Sequence, residues 1–220
     1  MSPLRLPQGL IPPARGHDPV KAAATGFSER QHILSTAKRL FAYFGYDGTS
    51  FDDIARAADI PAGQLLQLFE DKQKLLTAIF DEDWESIQPR MVDIILTSMD
   101  AREASLGIFA AMTQILDKDR DLAKLLLFES RRPRVGDGEV VIPKGFRDFA
   151  DLMLRLAIRG QQDHTFSAAI HPRIIATLLI SATEGLLRER MLAEHTDQAE
   201  AYRGAQMISG FDALVSGLKP

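Results

Sequence analysis

Two glutamines three positions apart, Gln64 and Gln67, place in one short segment the side-chain amide that pairs with the N6 and N7 edge of adenine. Ala62 and Leu66 beside them are apolar groups suited to thymine methyls. Arg30, Lys38, Arg39, Thr49, Arg56, Lys72 and Lys74 add cations and a hydroxyl that suit phosphate oxygens. Such a set suits contacts to a nucleic acid, though it is a thin complement for specific recognition, and it is not one that makes or breaks bonds. Reaction chemistry is poorly served elsewhere in the chain. There is no cysteine, no G-x-S-x-G elbow, no P-loop and no H-E-x-x-H. His17, His32, His164, His171 and His195 are dispersed without metal-ligand spacing. Gly136-Asp137-Gly138 lacks the third glycine and the preceding strand of a dinucleotide fingerprint. Glu184, Glu189 and Glu194 read as surface or dimer-rim charges. No enzyme, cofactor or metal site is expected.

Charge does not by itself point to DNA. The net charge is −4, with nine basic and eight acidic residues before position 81 and seventeen and twenty-two after it. The first third is less acidic than the rest, but it is no basic patch.

Helices must position these groups. Residues 1–26, rich in Pro and Gly, read as a flexible arm that can reach phosphates. Ser28 is placed to cap a helix carrying Ile33, Leu34, Ala37, Leu40, Phe41 and Phe44 on one face, and Gly45 ends it. A short helix follows Thr49-Ser50, with Asp52 and Asp53 suited to a capping box. A third covers Pro61 to Phe69, and a long fourth starts at Asp71-Lys72 and bends near Pro89. Helical period continues over roughly 102–117, 119–131, 144–161, 171–194 and 197–216, with a loop over 132–143. The fold class is therefore all-α. No run of apolar residues is long enough for a membrane span, and the cytoplasm is the expected compartment.

Phe51–Ala58 and Ala62–Phe69, joined by a tight turn, have the lengths of a helix-turn-helix. The wider stretch is more specific. Ile33-Leu34, Ala37, Leu40-Phe41, Gly45-Tyr46, Thr49-Ser50, Asp53-Ile54-Ala55, Ala58, Gly63, Leu65, Phe69, Lys72 and Leu75-Leu76 run from Ser28 to Ile79 with no gap. In these residues the chain resembles the DNA-binding domain of TetR-family transcriptional regulators. The resemblance implies a helix-turn-helix domain over 27–73 and an effector-binding and dimerisation domain over 74–220. It implies that Thr49 meets a phosphate and that Lys72 contacts or pairs with the DNA backbone. It implies DNA contacts from Arg30, Thr49, Arg56, Ala62, Gln64, Gln67 and Lys72. Four positions depart from the family pattern: Asp59 for the turn glycine, Pro61 for the hydroxyl cap, and Leu66 and Leu68 for tyrosine or histidine. The recognition segment contains no Lys or Arg.

In the second domain, Trp84, Met91, Ile95, Phe109, Met112, Phe128, Phe149 and Met153 suggest an apolar effector pocket. Stripes through Ile175, Leu179, Ala182, Leu186, Ala205 and Phe211 suggest the dimer interface that the family builds from its last two helices. A fainter likeness to the fatty-acyl-responsive subgroup lies in Leu127–Arg131, Gly145-Phe146-Arg147, Gly160 and Phe166. The expected function is a ligand-responsive repressor that binds a palindromic DNA operator as a homodimer. A small apolar effector, with fatty-acyl compounds as candidates, would release it. The alternative is a dimeric ligand-binding or scaffold protein whose degenerate helix-turn-helix no longer binds DNA specifically.

Overall fold

Ile33, Leu34, Ala37, Leu40 and Phe41 recur at helical spacing, and all are buried. They form the inner face of α1, Ala22–Phe44, which ends at Gly45 with φ 76°. The computed structural model describes residues 22–129, 135–136, 139–140 and 142–219, with side chains over 29–127 and 142–219. Most of the expected arm lies outside these residues. Residues 22–26, read as part of the arm, are helical, and Ser28 sits inside α1 instead of capping it.

Helices α2 (Phe51–Ala57) and α3 (Ala62–Phe69) follow, then α4 (Lys72–Thr97). Ile54, Ala55, Leu65, Phe69, Leu75, Leu76 and Ile79 close over the α1 face as one N-terminal core. Helix α4 runs past Pro89 without interruption into the second core. There it meets α5 (Ala101–Lys118), α6 (Arg120–Lys124) and α7 (Lys144–Gln162). Helices α8 (Pro172–Ala193) and α9 (Gly204–Ser216) complete it. Among the described residues the only β pairing is a two-residue antiparallel ladder, Val135–Gly136 with Glu139–Val140. The expected last helix over 197–216 is broken. A 3-10 turn at Ala199–Tyr202 is separated from α9 by Arg203, whose extended backbone (ψ 148°) ends the turn and starts the helix: its N–H donates to Glu200 O at 3.3 Å and its carbonyl accepts from Met207 N at 3.1 Å.

Helix α6 continues into a π-helical turn, Leu125–Glu129. The wider winding changes which faces look where. Leu125 is buried in the N-terminal core, while Leu122 and Leu127 are buried in the C-terminal one. One short segment therefore reaches both cores.

Candidate DNA-reading surface and interior cavity

The capping residue of α2 is Ser50, not Thr49. Ser50 Oγ accepts from Asp53 N at 3.1 Å, and Asp53 Oδ2 accepts from Ser50 N at 3.1 Å, which completes a capping box. Burial works to raise the Asp53 carboxyl, but the Ser50 bonds and Arg56 outweigh it and hold it below the usual carboxylate range. Ser50→Ala is expected to destabilise the protein by about 1 kcal/mol, read as a shift in the urea midpoint at unchanged slope.

The α2–α3 turn is a Schellman motif with Asp59 in the left-handed position, φ 56°. Ile60 N donates to Ala55 O at 3.0 Å, and Asp59 N donates to Arg56 O at 3.3 Å. Aspartate thus fills the glycine position, as its tolerance of that conformation allows. Pro61 precedes α3 with φ −62° and offers no side-chain cap. The buried face of α3 is Leu65 and Phe69. Gln67 lies on the open face with Leu66 and Leu68, which are 50% and 47% exposed.

The expected DNA contacts separate into two groups. Gln67 is exposed and Ala62 half-buried on α3. The others already have partners within the chain. Gln64 Nε2 donates to Glu29 Oε1 at 2.8 Å. Arg56 pairs with Asp53 at 3.1 Å. Arg30 pairs with Glu82 at 3.1 Å and lies over the Phe69 ring. Lys72 Nζ donates to the carbonyl oxygens of Tyr46 (2.8 Å) and Thr49 (2.9 Å), above the Tyr46 ring. It therefore fastens the α1–α2 turn to the start of α4.

Thr49 corrects the expectation of a phosphate contact. It is 1% exposed, and its hydroxyl donates to Gly45 O at 2.9 Å and lies 3.3 Å from Leu40 O. A hydroxyl has one hydrogen, so none is left for a phosphate. Lys38, also expected to meet phosphate, turns inward to Asp83 (2.8 Å) and Asp119 (2.7 Å).

Asp83 stands at the wall of an apolar cavity with about 700 Å³ of empty space, its open mouth included. Helix α4 contributes Phe80, Asp83, Trp84 and Ile87; α5 contributes Met112 and Leu116. Leu122, Leu126 and Leu127 come from α6 and its π turn, and Gly145, Phe146 and Phe149 from α7. Helix α8 closes it with Ile180, Thr183, Glu184 and Leu187.

Of the residues expected here, Trp84, Met112 and Phe149 line the cavity. Met91, Phe109 and Met153 do not; they are buried in solid core, with Phe109 stacked on Phe211 at 4.5 Å. Ile95 packs against the same core, and the side chain of Phe128 lies outside the described residues. Sequence reasoning missed Phe80 and Ile87, although their spacing from Trp84 puts all three on one face of α4.

The expected dimer stripe also changes. Ile175 and Leu179 are fully buried, and Phe211 is 1% exposed, all within the chain's own core. Ala182 and Leu186 are half-buried and Ala205 is exposed. The apolar side chains left in solvent on α8 and α9 are Ile174, Leu178, Leu192, Ile208 and Leu214.

Residues 33–79, the stretch that builds this helix-turn-helix, match the family described as bacterial regulatory proteins, tetR family. The match covers the helix-turn-helix domain and about a fifth of the chain. The HTH-type transcriptional repressor DhaR of Mycobacterium sp. strain GP1 is 22% identical over 175 residues, covering 79% of this chain and 87% of DhaR. The HTH-type transcriptional regulator AcrR of Shigella flexneri is 45% identical over 56 residues, 26% of this chain and 24% of AcrR. The TetR-family likeness is therefore densest in the helix-turn-helix and thin beyond it. In fold it extends further. The transcriptional regulator FadR of Bacillus subtilis, solved in complex with stearoyl-CoA, superposes with a TM-score of 0.71 at 17% identity. The overlap covers 84% of this chain and 97% of FadR. No helix among the described residues is long and apolar enough to cross a membrane.

Proposed function

We propose that this TetR-family regulator is a cytoplasmic repressor that binds a palindromic operator as a homodimer and releases it when a small apolar molecule enters the cavity. The observation that carries this reading is the shared wall. Asp83 lines the cavity and holds Lys38 of the helix-turn-helix domain, while Trp84 and Phe80 beside it lie on the helix that starts at Lys72. A ligand that displaces this wall acts on α1 and α4 together. Its differential affinity for the two arrangements sets how far the population moves. In the dimer the two α3 helices would enter successive major grooves, about 34–36 Å apart. The stearoyl-CoA complex of FadR supports an acyl-type effector for a fold of this shape.

A second reading has its own support. Helix α3 carries no Lys or Arg and exposes Leu66 and Leu68, which fits a dimeric ligand-binding or scaffold protein that has lost specific DNA binding. Selection of short genomic DNA fragments by the purified protein, with affinity followed against salt, separates the two. Tight binding to a palindrome, weakening steeply with salt, supports the repressor. Weak, sequence-independent retention by a folded dimer supports the scaffold.

A further inference from the structure

Helix α3 turns Leu65 and Phe69 to the core. At about 100° per residue, Gly63 and Gln67 stand on the opposite side, four positions apart. Both are exposed. Leu66 flanks them on one side, and Gln64 and Leu68 on the other; the two leucines are exposed and Gln64 is half-buried. A Cβ at Gly63 would meet nothing within 4 Å, so the strip is open to close approach. Gln64 is steadied from α1, because its Nε2 gives one hydrogen to Glu29 Oε1 at 2.8 Å and keeps the second. The eight residues of α3 include no Lys, Arg, Asp or Glu.

This complement has a definite preference among base pairs. In the major groove adenine shows a donor beside an acceptor, whereas guanine shows two acceptors. A glutamine amide, with one carbonyl and one amino group, matches the first as a bidentate pair. Against guanine its oxygen would face O6, acceptor against acceptor. Leucine discriminates in the same direction. It covers the thymine methyl, but over cytosine it would strip water from the N4 amino group and offer no acceptor. The side chains that favour a G·C pair, Arg or Lys for guanine and a carboxylate for cytosine, do not occur on this helix. We infer that α3 reads A·T pairs alone, with Gln67 and Gln64 on adenine edges and Leu66 against a thymine methyl. The inference rests on the repressor reading and names the class of half-site that the repressor takes.

Selection from duplex DNA with a randomised centre, run on the full chain and on its Gln67→Ala and Leu66→Ala variants, tests this with no operator known beforehand. Both side chains are exposed, so circular dichroism and the urea midpoint should stay at wild-type values. Gln67→Ala is expected to erase about a tenfold preference for adenine at one position of each half-site. Binding to unrelated sequence should stay within about twofold, since phosphate contacts are kept. Deoxyuridine in place of thymine removes only the methyl. Scanned across the selected half-site, it is expected to weaken the wild type about fourfold at one thymine, the worth of one buried methyl group. At that thymine it should do nothing further to Leu66→Ala. The inference is overturned if the positions that respond to the variants are G·C, or if the variants change no position. It is overturned equally if no thymine feels the loss of its methyl, or if that loss is undiminished in Leu66→Ala. No enriched sequence at all, from a chain shown to be folded and dimeric, overturns the repressor reading itself, and the inference with it.

Discussion

Lys38→Met is expected to destabilise the protein by about 2–3 kcal/mol at neutral pH, somewhat under the loss typical of a fully buried ion pair. The discount follows from exposure. The side chains of Lys38, Asp83 and Asp119 are 16%, 21% and 37% exposed, so water answers part of what the ammonium gave up. Removing the ammonium leaves two carboxylates facing each other in a half-buried site. The pH dependence identifies which of them bears the loss. Burial already lifts the Asp83 carboxyl above its usual range, despite the attraction of Lys38. Without Lys38 it rises further, so the deficit should shrink in acid, where Asp83 is protonated in both proteins. The Asp119 carboxyl is shifted the other way. Burial works to raise it, but the Leu122 N–H and Lys38 outweigh that and hold it low. Its contribution is present above the ordinary carboxylate value and is lost as pH falls through its lower folded value. On the alkaline side, burial works to lower the Lys38 ammonium, while Asp83 and Asp119 together raise it. Its stabilisation is complete below about 10.5 and disappears only as pH rises through the higher folded value. Urea unfolding of wild type and variant from pH 4 to 9 checks this. A deficit that stays constant with pH would mean that Lys38 contributes through its hydrocarbon stem and not its charge. The companion variant Lys38→Met/Asp83→Leu should recover part of the loss, because an apolar pair leaves only Asp119 without its cation.

That cluster was illegible in the sequence for a plain reason. Lys38 meets partners 45 and 81 positions away, and no local pattern distinguishes an inward lysine from a solvated one. The helix-turn-helix was legible because its constraints are local. Ser50 and Asp53 stand at capping-box spacing, Gly45 takes a positive φ, and Asp59 is tolerated where the turn needs one. Even there, one position of register decided the role of a side chain. Thr49 and Ser50 are adjacent hydroxyls, and only packing against Leu40 and Gly45 sends the first inward and leaves the second as the cap. The cavity was legible as a stock of large apolar residues but not as a shape. Periodicity assigns Met91, Trp84 and Phe109 alike to an inner face. Whether that face meets a void or another side chain depends on how α5, α7 and α8 are set around it.

Helix α8 shows the same limit with the largest consequence. It carries apolar pairs, Ile174-Ile175 and Leu178-Leu179, so a rotation of about 100° exchanges one stripe for the other at no cost in hydrophobic pattern. In the structure Ile175 and Leu179 are fully buried, whereas Ile174, Leu178 and, on α9, Ile208 are 53%, 40% and 45% exposed. A homodimer built on α8 and α9 would bury this outer stripe. The small residues Gly185, Gly204 and Gly210 have nothing within 4 Å of a virtual Cβ, which leaves room for close approach. Covering the exposed part of each large side chain is worth roughly 1 kcal/mol, and twofold symmetry counts every one twice. Leu178→Glu/Ile208→Glu replaces that gain with like charges brought together across the axis. The double variant is expected to be monomeric at micromolar concentration, with helical content kept and DNA binding lost. Analytical ultracentrifugation and circular dichroism read the first two, and fragment retention reads the third. Leu179→Glu, one position along, is expected to fail differently. It puts a charge into the core at a cost above about 4 kcal/mol and should abolish cooperative unfolding. If the double variant stays dimeric, the two copies meet elsewhere on the molecule. If it unfolds as Leu179→Glu does, the outer stripe belongs to the fold rather than to a second copy.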